Sequence, residues 1–149
     1  MPEMTLLGWF HTILGILAVL SGFYTLYKYR VISYEVSSGK LYILVTLLVA
    51  GSALGIYNQG GFGVAHILGV LTLIALAGGY IMERYKWFGS FSKYFQALGY
   101  TSTLLFHMIP AITDFLRRLP VGDTFIDSFE DPLLLNFHLA FLIIYVVGI

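Results

Sequence analysis

Four histidines, His11, His66, His107 and His138, are the side chains of this chain best suited to chemistry. Imidazole is the commonest neutral ligand for transition metals and serves haem iron as well. His11 lies between Gly8 and Gly15, and His66 between Gly63 and Gly69. At spacings of three and four residues these glycines share each ring's helical face and leave room beside it. Two such rings on facing helices can ligate one haem b, the glycines admitting the macrocycle. Four rings can instead close around a single zinc, copper or iron ion. His107 precedes Pro110, whose missing N–H frees the carbonyl of Phe106 to orient a ring. His138 follows Asn136, which reads first as a local helix cap and second as a supporting partner. Any one histidine alone reads as an interfacial or hydrogen-bonded residue, and glycines in membrane helices ordinarily serve close packing. The set of four carries the expectation of haem or metal.

Other chemistry has less support. The chain has no cysteine, so disulfides, thiolate metal sites and cysteine nucleophiles are excluded. Asp114, seven residues after His107, could join three histidines in activating a metal-bound water, which would make a membrane hydrolase. Its first reading is a solvated acid at a helix end. Thr101, Ser102 and Thr103 are expected to bond their own helix backbone. There is no phosphate loop, no nucleophile elbow and no pair of carboxylates inside an apolar run. Net charge is zero and no basic cluster argues for nucleic acid.

The elements that must position these residues are membrane helices. The chain has 149 residues, 58% hydrophobic and 11% charged, against about 25% charged in soluble domains. An apolar run of about 20 residues crosses a bilayer as a helix. Such runs lie at residues 4–27, 40–57, 62–82, 94–114 and 133–149, the last being short. The turn Asn58-Gln59-Gly60-Gly61 divides the long uncharged stretch into the second and third. Glu3 replaces a basic leader, so the first run reads as a retained helix rather than a signal peptide. The connection from Arg117 to Pro132 is mostly acidic, and its Phe125, Ile126 and Phe129 are expected to rest on the membrane surface.

Lys28, Arg30, Lys40, Arg84, Lys86 and Lys93 fall on one side of five spans, and Arg117 and Arg118 on the other. Basic residues mark the cytoplasmic side, which puts the N-terminus outside. All four histidines then fall in the outer leaflet. Gly8-Trp9-Phe10-His11 through Gly15 is echoed by Gly63 through Gly69, and Phe137-His138 echoes Phe10-His11, pointing to duplicated helical hairpins.

The His-bearing starts at His11 and His66, the Gly39-Lys40-Leu41-Tyr42 opening and the Asn58-Gln59-Gly60-Gly61-Phe62-Gly63 turn resemble a family of small bacterial membrane proteins. It is a domain family of unknown function, and the resemblance reaches as far as Phe115. It implies a bacterial inner-membrane helical bundle and no activity. The expectation is therefore an all-α, five-helix integral membrane protein forming a single domain over residues 1–149. Its function is expected to be electron transfer by a histidine-ligated haem b or metal centre, within a larger membrane complex or a homo-oligomer, a quinone being a candidate partner. The alternatives are a structural subunit of such a complex and a non-haem metal-dependent membrane enzyme.

Overall fold

Thr5 opens the first helix, where its Oγ1 accepts from the Gly8 N–H at 3.1 Å. This satisfies one of the amides that a helix start leaves without an intrahelical partner. The computed structural model describes residues 5–57 and 60–148. Helix α1 spans Leu6–Tyr29 with Lys28 as its one charge, and Arg30 closes it in the left-handed conformation, bonding Leu26 O at 2.9 Å. Helix α2 spans Ser37–Ala53 and α3 spans Val64–Tyr85. Lys86 ends α3 as Arg30 ends α1, with φ 51° and a bond to Met82 O. A 3₁₀ turn at Gly89–Phe91 leads into α4, Ser92–Arg118, and α5 spans Pro132–Gly148. Pro132 sits where a helix has no use for its N–H. Asp131 Oδ1 takes the next free amide, that of Leu133, at 2.8 Å.

All five expected helices form, with no strand among the described residues. The ends differ from the apolar runs because backbone bonding, not hydropathy, sets them. Helix α2 starts in the polar Ser37-Ser38-Gly39 and stops at Ala53, and α4 continues through Pro110 to Arg118. Asn58 and Gln59 of the expected turn lie outside the described residues, as do Met4 and Ile149 at the expected outer limits of the first and fifth spans.

The first four helices close a ring: α1 packs on α2, α2 on α3, α3 on α4, and α4 back on α1. Helix α5 lies outside the ring against α4. The core includes Ala18, Tyr42, Val49, Leu76, Tyr100 and Leu104. Small residues let two helix backbones approach closely. Gly99 shows this best: a Cβ there would lie 2.8 Å from Ala75 O and 2.9 Å from Gly79 N. Helices α3 and α4 therefore touch backbone to backbone. Gly22 similarly admits the Tyr42 ring, 2.8 Å from where its Cβ would stand.

Helices α1 and α3, with 24 and 22 residues, are long and apolar enough to cross a membrane. Helices α2 and α5 are apolar but have 17 residues each. One expectation about the acidic loop is corrected. Ile126 does not rest on the surface; it is buried against Leu116 and Leu134, under the junction of α4 and α5. Phe125 stacks on Phe115 instead, and Phe129 lies under the Arg117 guanidinium at 3.8 Å. The loop folds back far enough to shelter Ile126 from water at the helix ends, while Phe125 and Phe129 stay half exposed.

Candidate histidine site

The four histidines occupy the half of the bundle opposite Glu83, and α2 sorts them. His11 of α1 places Nδ1 3.1 Å from Val49 O and 3.0 Å from Ser52 Oγ, both in the last turns of α2. A carbonyl oxygen can only accept, so Nδ1 carries the proton and Nε2 keeps its lone pair. His107 of α4 places Nε2 3.1 Å from Thr46 Oγ1, one turn earlier on α2. Tyr42 presents its ring edge-on to His107, with centroids 6.3 Å apart. His11 and His107 thus converge on one stretch of α2, Thr46 to Ser52.

His66 and His138 go elsewhere. His66 caps its own helix: the Gly63 N–H donates to its Nδ1 at 3.1 Å. A neutral ring then carries its proton on Nε2, which is buried with no hydrogen-bond partner among the described residues. Tyr57 and Phe62 flank the ring at 4.6 and 5.1 Å. His66 lies on α3, which meets α2 and α4 in the ring, and makes none of its hydrogen bonds to α1 among the described residues. His138 Nε2 lies 3.3 Å from Thr113 Oγ1, whose own proton goes to Ile109 O. With Tyr145 OH on Ser102 Oγ at 2.6 Å, it fastens α5 to α4.

The glycines divide in the same way. Beside His11, Gly15 has nothing within 4 Å of a Cβ position, and Gly63 is likewise open. Gly69 is filled by α2, with Ala50 O and Leu54 Cδ2 both at 3.3 Å, so it serves helix packing. Gly8 is buried and gives its carbonyl to Thr12 Oγ1. Asp114 pairs with Arg118 at 3.6 Å on the exposed end of α4. Asn136 is exposed on α5. Among the described residues, no three histidine or acidic side chains gather in a geometry that could hold a metal ion.

Sequence reasoning passed over the partners of this site. Ser38, Tyr42 and Thr46 follow one another at intervals of four along α2. They bond Thr25 at 2.9 Å, Thr103 at 2.6 Å and His107, respectively. On α4, Gln96, Tyr100, Thr103 and His107 keep a similar helical spacing. These stripes were visible as polar residues recurring on one face of an apolar helix. No sequence motif singles out Glu83, which lies in the last turn of α3. It accepts from the Tyr34 N–H at 2.9 Å, from Tyr100 OH at 2.8 Å and from Ser33 Oγ, joining the α1–α2 connection to α3 and α4. Its partners come from distant parts of the chain, and no local pattern announces them. No family model, curated protein or solved structure matches this chain.

Proposed function

We propose that the chain is an integral membrane protein of five crossing helices that holds a redox centre between His11 and His107 and passes electrons within a membrane complex. The centre is a b-type haem or a single transition-metal ion. The observation that carries this reading is the convergence of two histidines, from α1 and α4, on the stretch of α2 from Thr46 to Ser52. Each has one ring nitrogen committed to α2, by Val49 O and Ser52 for His11 and by Thr46 for His107. A ligating imidazole needs that kind of support: one nitrogen held, which fixes the ring, and the other left with a lone pair. His11 offers Nε2, and the open space at Gly15 lies four residues along the same face. His107 offers Nδ1 in the tautomer whose Nε2–H donates to Thr46 Oγ1. The bound iron or copper would supply a centre that changes charge by one electron.

The chain's own residues fix the two rings and limit water. His66 stands outside the pair; its Nε2–H suits a hydrogen bond to a quinone carbonyl or a haem propionate. The test is occupancy. Purified protein is expected to show a Soret band that shifts on reduction, or one bound metal by elemental analysis. His11→Ala and His107→Ala are each expected to abolish it, while His138→Ala leaves most of it. Protein without colour or metal, isolated after growth with iron and copper supplied, would overturn the reading.

A second reading has its own observation. Helix α5 buries only Leu134 within the chain, leaving Leu142, Ile143, Ile144, Val146 and Val147 outward. That favours a structural subunit whose α5 is covered by a neighbouring helix in a larger complex. Haem and metal analysis of the band isolated by native electrophoresis separates the two, since the second requires a co-migrating partner and no bound cofactor.

A further inference from the structure

At the end of the bundle away from the histidines, a cleft of about 380 Å³ opens between the α1–α2 connection and the end of α3. Tyr34, Glu35, Tyr80, Glu83, Arg84 and Lys86 line it. Its charges are balanced, two carboxylates against two cations, yet no pair among them lies within ion-pair distance; among the described residues the one ion pair is Arg118–Asp114. Glu83 is the most constrained of them. All its hydrogen bonds come from neutral donors, Ser33, Tyr34 and Tyr100. Those bonds fix its position and leave its negative charge without a cation. Opposite charges held apart around one opening suit a dipolar ligand better than a simple anion, which would meet two carboxylates.

The surroundings indicate what kind of dipole. Tyr27, Tyr85, Trp87 and Tyr94 are exposed at this end. Lys28 reaches back to Tyr24 OH at 3.3 Å and lies over the Tyr29 ring. Exposed tyrosines and tryptophan interleaved with lysine mark the level of lipid headgroups. The cleft therefore opens where phospholipid headgroups stand.

We infer that this cleft binds the headgroup of a zwitterionic phospholipid bearing a primary amine, with the phosphate at Arg84 and Lys86 and the ammonium between Glu35 and Glu83. A phosphate accepts from both cations as a charge-assisted partner. A primary ammonium donates three hydrogen bonds and meets the exposed Glu35 carboxylate directly, with the Glu83 charge behind it. A choline headgroup has no N–H to donate, and a glycerol headgroup has no cation.

The experiment measures lipid retention by native mass spectrometry. The full-length protein is exchanged into phosphatidylethanolamine, phosphatidylcholine or phosphatidylglycerol with matched acyl chains. Retention of phosphatidylethanolamine above both others is expected. Arg84→Gln and Lys86→Gln should each weaken it about fivefold, the worth of one basic residue near a lipid surface. Glu35→Gln should erase the preference over phosphatidylcholine. Free phosphoethanolamine should compete, which separates headgroup recognition from acyl-chain adhesion. These side chains are exposed, and unchanged helicity by circular dichroism confirms that each variant is folded. Equal retention of the three lipids, a preference for phosphatidylglycerol, or variants that retain lipid like the parent would each overturn the inference.

Discussion

Glu83, partly buried at the bundle end, and Tyr42, fully buried in the core, are both hydrogen-bonded between elements, but their loss leaves different debts. Removing the Glu83 side chain strands the Tyr34 amide and the Ser33 and Tyr100 hydroxyls together. Each buried group left unsatisfied costs about 1–3 kcal/mol, so Glu83→Ala is expected to cost about 2–4 kcal/mol after allowing for water near the bundle end. Removing the Tyr42 hydroxyl strands only Thr103 Oγ1, which keeps its bond to Tyr100 O at 2.7 Å. Side-chain hydrogen bonds between membrane helices average about 0.6 kcal/mol, and Tyr42→Phe should cost no more than about 1 kcal/mol. Unfolding in mixed micelles by titration with dodecyl sulfate measures both. A larger loss for Tyr42→Phe than for Glu83→Ala would refute the ranking. His66 makes a related point, since its Nδ1 closes its own helix start while its Nε2 has no partner among the described residues.

Among the elements, the α3–α4 pair depends on contact that no side chain can replace. Gly99 sits against the backbone at Ala75 and Gly79, neither of which can rotate away. Gly99→Leu must therefore separate the two helices. Overpacking typically costs about 1–3 kcal/mol, and here the yielding element is a whole helix. The expected result is a drop of at least about 2 kcal/mol in the same titration. Gly15→Leu, whose side chain meets open space, should leave stability unchanged. Equal stability of the two variants would show that α3 and α4 tolerate separation. Helix α5 is held more lightly, through Leu134, the His138–Thr113 bond and the Tyr145–Ser102 bond.

For the molecule as a whole, the open question is how many helices cross the membrane and in which direction. Helices α1 and α3 meet the length and apolarity needed. The count of basic residues, six at one end of the bundle and Arg117 and Arg118 at the other, predicts the orientation. A reporter fused after Lys86 should behave as cytoplasmic, and one fused after Arg118 as external. The reverse pattern would turn the histidine end toward the cytoplasm, and the same location for both fusions would show that α4 does not cross.

The five helices and their order were legible in the sequence because uncharged runs and punctuating turns are local properties. So was the gathering of the histidines toward one end, which follows from counting along helices of alternating direction. The pairing was not legible. His11 and His66 have similar glycine neighbourhoods, yet His11 reaches the stretch of α2 that His107 also meets, whereas His66 bonds back to Gly63. Which face of a helix meets which neighbour is decided by the ring order of α1 to α4, a property of the whole bundle. The same reason hid Glu83: its three partners, Ser33, Tyr34 and Tyr100, are assembled only when two connections and two helices come to one end. Sequence specified the segments and their polarity; tertiary packing chose their partners, because close helix contact in lipid is settled by shape rather than by apolar character.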